Sequence, residues 1–155
     1  MVYLGVAFAT TRATVGVANE VAPWTPSGAT LTPLPLGRGQ VAIRVTPATK
    51  GTIYGAVVQT LISEPKAGHT YVVSLGLKGT PRGRIGVELN EFSPGVARYP
   101  VKTTVPAAAR WHHYTFSVRV KQSWLGLAVY VYRQTNPPAR TSFTIRDENV
   151  AVSPG

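Results

Sequence analysis

Along most of this chain hydrophobic and polar residues alternate with a period of two. In 112–120, Tyr114, Phe116, Val118 and Val120 share one side, and His113, Thr115, Ser117 and Arg119 share the other. In 84–90, Ile85, Val87 and Leu89 oppose Arg84, Gly86, Glu88 and Asn90. In 40–46, Val41, Ile43 and Val45 oppose Gln40, Ala42, Arg44 and Thr46. Successive side chains of a strand point to opposite faces of its sheet, so each segment reads as a half-buried strand. The pattern and its Gly and Pro punctuation predict strands over 2–8, 29–34, 40–46, 52–61, 69–77, 84–91, 99–104, 112–120, 124–132 and 142–152. About ten such strands in one domain predict an all-β fold of two antiparallel sheets packed face to face. The one short helical stretch, Ala107–Arg110 after Pro106, is expected to lead into the next strand. The longest irregular region is 9–28, with Pro23, Pro26 and Gly28 around Trp24.

The segment WLGLAVYVYRQ, 124–134, sharpens the picture. The alternation sends Leu125, Leu127, Val129 and Val131 into the space between the sheets. Trp124, Gly126, Ala128, Tyr130 and Tyr132 then face outward. Three large rings on an outer sheet face have three readings: they meet a sugar, a neighbouring subunit, or a loop of their own chain.

Composition narrows the class. A chain of 155 residues suits a single domain, 1–155, with a real core. Charged residues are 14% of it, against roughly 25% in an average domain, which suits crowded contacts. The balance is basic, 16 Lys plus Arg against 6 Asp plus Glu for a net +10, and favours acidic partners. Yet Arg12, Arg38, Arg44, Arg98, Arg110, Arg133 and Arg140 are scattered, and no basic run forms a nucleic-acid arm. Nucleic acid is therefore not expected as a partner. Cysteine is absent, which excludes disulfides and thiolate metal sites. The opening MVYLGVAFATT lacks a basic n-region and alternates like a strand rather than a signal peptide. No run of 18 apolar residues occurs to span a membrane as a helix.

Catalysis finds little support. Glu88 and Glu91 are the one close carboxylate pair, and three positions apart on a strand they face opposite ways, unlike the facing pair that glycoside hydrolysis needs. His112 and His113 are likewise turned apart. No nucleophile elbow, phosphate loop or HExxH sequence is present. Neither an enzymatic activity nor a cofactor is expected.

Four segments in order carry a family likeness: GRGQVAIRVTP (37–47), YGAVVQTLISEPKAGHTYVVSLGLKG (54–79), TTVPAAARWHHYTFSVRV (103–120) and FTIRDENVAV (143–152). Together they resemble the jelly-roll, galactose-binding-like β-sandwich of carbohydrate-binding modules appended to bacterial glycoside hydrolases. The resemblance implies a jelly-roll sandwich and a sugar-binding face. Trp124, Tyr130 and Tyr132 would supply rings for sugar C–H faces, and Arg84, Glu88 and Asn90 a polar row for hydroxyls. It also implies a seal at one end of the sandwich by Trp111, while Trp24 reads equally as a loop anchor or an exposed contact. Family members often hold a structural calcium through a Glu after the first strand, but here Phe8 is followed by Ala9. Glu148 is left as a weak calcium candidate, too little for a cation that takes roughly 6–8 oxygen ligands, and no metal is expected. A lone sandwich without an export signal fits a phage virion protein, a minor tail or capsid decoration. Its partners would be neighbouring virion subunits or further copies of itself, and host cell-surface glycans. The alternative is a module of a secreted, extracellular glycoside hydrolase.

Overall fold

A computed structural model describes residues 24–48, 53–81, 83–134 and 141–153. Its ten strands are β1 Thr25–Ser27, β2 Ala29–Gly37, β3 Gln40–Pro47, β4 Ile53–Ser63, β5 Thr70–Gly79, β6 Arg84–Ser93, β7 Val96–Pro106, β8 His112–Arg119, β9 Gly126–Gln134 and β10 Phe143–Ser153. They form two five-stranded sheets, β1-β4-β9-β6-β7 and β2-β3-β10-β5-β8. Every pairing is antiparallel. From β3 to β6 the chain passes from sheet to sheet at every connection, as a jelly roll requires: β3 and β5 lie in one sheet, β4 and β6 in the other. No helix forms among the described residues, and Ala107–Arg110 instead bends between β7 and β8.

The predicted strands from 29 onward all appear, most of them longer than the alternation suggested. The expected strand 2–8 lies outside the described residues. β1 arises inside the region read as irregular, because Thr25, Pro26 and Ser27 pair with Val57, Ala56 and Gly55 at the sheet edge. Pro is tolerated there, as on any edge strand.

Alternation does the work of building the core. Ile43 and Val45 from β3, Val73, Leu75 and Leu77 from β5, Ile85, Val87 and Leu89 from β6, and Phe143 and Ile145 from β10 all turn inward and are buried together. Leu127, Val129 and Val131 join them from β9, each fully buried. Two expectations for this segment are overturned. Leu125 is 53% exposed, and Trp124, read as an outward ring, is only 4% exposed and belongs to the core. The cause is that β9 starts at Gly126, so the strand alternation does not reach back to them. A loop path governs the two residues: the Trp124 N–H donates to the Pro65 carbonyl, the Leu125 N–H to the Phe92 carbonyl, and the Glu64 N–H to the Leu125 carbonyl.

Trp24, just before β1, is buried in the same core and acts as a loop anchor. Trp111 is half-buried and lies outside the core cluster, with the Arg146 guanidinium 5.1 Å above its ring. Its ring is a cation–π partner for Arg146 of β10.

Candidate functional site

The outward face of the first sheet is organised by β9, its central strand. Tyr132 has Gly86 of β6 on one side and Gly55 of β4 on the other. Tyr130 has Glu88 on one side and Val57 on the other. Glycine neighbours leave bare backbone, and the tyrosine rings lie down over it. A Cβ on Gly86 would stand 2.4 Å from Cζ of Tyr132, and one on Gly55 would stand 2.8 Å from a ring carbon of Tyr130. The two rings stack with centroids 4.9 Å apart and planes 26° apart. One strand end further on, Phe92 lies over Gly126 in the same way, 2.4 Å from where a Cβ would be. Three glycines thus turn the face into an aromatic floor in which both tyrosines keep partial exposure.

Polar groups rim the floor on the β6–β7 side. Glu88 accepts a 3.0 Å ion pair from Lys102 of β7, directly across the hairpin. Arg84 is held by Thr104: its Nε and Nη2 donate to the hydroxyl at 2.9 and 2.7 Å, and Nη2 also reaches the Thr104 carbonyl at 3.2 Å. Asn90 stands beside Ala128, its Oδ1 buried and unpaired among the described residues. On the opposite side the Tyr130 hydroxyl meets the Ser27 hydroxyl of β1 at 3.2 Å. Burial, and then the neighbouring Glu88 carboxylate, hold the Tyr132 phenol above its ordinary value. The hydrogen bond to Glu88, with the carboxylate's charge, raises the Lys102 ammonium above its ordinary value.

Of the residues read from the sequence as a binding set, Tyr130, Tyr132, Arg84, Glu88 and Asn90 share this face, and Trp124 does not. Glu91 points to the other side of β6, opposite Leu127 and Arg98, so Glu88 and Glu91 do face apart. The side chain of Glu148 lies outside those described, as do Phe8 and Ala9. Sequence reading missed Lys102, Thr104, Ser27 and Phe92. Lys102 and Thr104 were legible in kind, as alternating polar residues of a strand, but not in register. No local signal marks Ser27.

A floor of stacked rings beside fixed donors and acceptors suits a ligand with both a C–H face and hydroxyl edges. Ring faces take apolar hydrogens, while Glu88, Lys102 and Arg84 offer one anionic acceptor and two cationic donors. No phosphate loop, metal cluster or facing acid pair accompanies them among the described residues.

No protein-family profile matches the chain, and no curated protein matches it in sequence. Solved structures do match in fold. The C-terminal family 22 carbohydrate binding module of Clostridium thermocellum Xyn10B superposes with a TM-score of 0.60 at 20% identity, covering 86% of this chain and 88% of that one. An arabinose-bound α-L-arabinofuranosidase, MgGH51, gives 0.62 at 16% identity, over 84% of this chain and 23% of its own. The enzymatically active domain of bacteriophage CBA120 tailspike protein 4 gives 0.64 at 14% identity, over 86% of this chain and 19% of its own. The chain therefore spans under a quarter of the two larger proteins and nearly all of the binding module. At these identities what is shared is the fold, and the jelly-roll β-sandwich of carbohydrate-binding modules is the fold that this chain has.

Proposed function

We propose that this chain is a non-catalytic adhesion and structural module of a phage virion, of the minor tail or capsid decoration type, which holds glycan against the β9 face. The observation that carries the glycan part is the Tyr130–Tyr132 pair laid flat over Gly55 and Gly86, with Glu88, Lys102 and Arg84 along one margin. Flat, preplaced rings lose little side-chain freedom when a sugar settles on them, so the stacking energy is not spent on ordering. The virion setting draws support from the fold likeness to the tailspike and from the low charge fraction, which suits contact with neighbouring subunits. A second reading is a binding module of a secreted glycoside hydrolase. It is favoured by the match that covers both this chain and the family 22 module nearly end to end.

Both readings dispense with catalysis. Glu88 is engaged with Lys102 on the outer face, and Glu91 is turned to the inner side, so the two carboxyl groups are not placed across a common bond. Two measurements test the proposal. Affinity gel electrophoresis against a panel of polysaccharides is expected to show retardation by at least one, and none for any polymer would contradict glycan binding. Antibody labelling of purified particles under the electron microscope is expected to decorate tails or capsids at regular positions. Unlabelled particles, with the protein instead joined to a hydrolase in culture medium, would select the second reading.

A further inference from the structure

β7 and β8 are the last strands of their respective sheets, and between these two edges the sandwich is open. The opening is a cleft of about 440 Å³ whose chemistry comes from Glu91, Arg98, Tyr99, Ser117, Arg119 and Lys121. Clefts that hold small molecules commonly run from about 300 to 1,000 Å³. This one is separate from the tyrosine floor, because Glu91 and Arg98 lie on the inner side of β6 and β7 while Glu88 and Lys102 lie on the outer side.

Its composition is unusual for a sandwich margin. Glu91 takes the inward position after Ile85, Val87 and Leu89, where the pattern asks for another apolar residue. It is only 3% exposed, and its Oε1 has no hydrogen-bond partner among the described residues. Three cations stand around it: Arg98 from the β7 wall, Arg119 at the end of β8 and Lys121 just beyond. All three are exposed, and none makes an ion pair with another described residue. Tyr99, 56% exposed, contributes a ring to the same wall.

Three exposed cations against one carboxyl favour an anion. A bare inorganic anion would leave the Tyr99 ring and the buried Glu91 oxygen unused. A sugar that carries a carboxylate uses all of them, since planar guanidinium groups match a carboxylate and a ring face matches sugar C–H groups. We propose that this cleft binds an acidic sugar residue of the hexuronate class. Arg98 and Arg119 take its carboxylate, Tyr99 lies against its ring, and Glu91 and Ser117 bond its hydroxyls. Burial raises the Glu91 carboxyl above its ordinary value, with the Arg98 charge, the nearby Trp124 indole N–H and the Lys121 charge pulling it back.

Titration of the 15N-labelled full chain with sodium D-glucuronate, D-glucose and sodium phosphate tests this. Glucuronate is expected to shift the amides of Arg98, Tyr99, Arg119 and Lys121, with glucose at least about ten-fold weaker. The double variant Arg98→Ala/Arg119→Ala should lose about ten-fold or more in glucuronate affinity, because charge-assisted hydrogen bonds are lost. Tyr99→Ala should weaken glucuronate while leaving phosphate unchanged. The variant Tyr130→Ala/Tyr132→Ala should bind glucuronate as before, so a failure of the tyrosine floor is read separately. No shifts at the cleft, equal response to glucose, phosphate competing as strongly as glucuronate, or full affinity in the double arginine variant would each overturn the proposal.

Discussion

Gly55 and Gly86 decide how the two tyrosines lie, and so whether the β9 face can serve a ligand at all. A methyl group at Gly86 would press into the Tyr132 ring, which can swing outward. At Gly55 it would stand 2.3 Å from the Val131 carbonyl oxygen, which cannot move without the strand. Gly86→Ala is therefore expected to cost about 1–3 kcal/mol, as overpacking does, with Gly55→Ala costing more; urea unfolding monitored by tyrosine fluorescence measures both. Glu91 carries a pH signature. Its folded-state value is raised above 4.5 mainly by burial, so the fold prefers the protonated form. The stability from that preference is complete below 4.5 and is lost as pH rises through the raised value. Glu91→Gln removes the titration. Its urea midpoint should thus gain on that of the parent as pH rises across this interval, and a constant gap would contradict the assignment.

At the scale of strands, the β6–β7 hairpin shows what a sequence reveals and what it hides. The turn Pro94–Gly95 is plain in the sequence, and Ser93 and Val96 close it. Counting back from that turn without interruption would pair Glu88 with Val101. The register shift between Leu89 and Glu91 moves the pairing by one, so Lys102 meets Glu88 while Val101 packs against the core. A bulge has no reliable local signature, and a one-residue slip exchanges the faces of a strand. This is why Lys102 and Thr104 were missed although Arg84, Glu88 and Asn90 were placed correctly. The start of β9 was hidden for a similar reason: apolar alternation continues through Trp124 and Leu125, yet backbone hydrogen bonds to Pro65, Phe92 and Glu64 bind them into a loop. Gly95 has φ of 74° and open space around it. Gly95→Ala should then cost only the left-handed backbone term, about 1–2 kcal/mol, and leave the β6–β7 register unchanged in amide exchange. A larger loss would mean that the turn is doing more than closing the hairpin.

For the whole molecule, period-two patterning was sufficient to foresee two packed antiparallel sheets, because a sheet has only one way to bury one face. What it could not foresee is which strands neighbour one another. The tyrosines of β9 become a site only because the jelly-roll order sets β4 and β6, with their glycines, on either side. The net charge of +10 is also distributed by topology. Lys102 and Arg84 come to the β9 face, Arg98, Arg119 and Lys121 to the edge cleft, and Arg146 to the second sheet over Trp111. The most direct test of the central claim is isothermal titration of a polysaccharide that retards the parent protein, compared between the parent and Tyr130→Ala/Tyr132→Ala. The account predicts a loss of at least about ten-fold, or about 1.4 kcal/mol, with the fold intact by circular dichroism. Undiminished affinity in the double variant would contradict it.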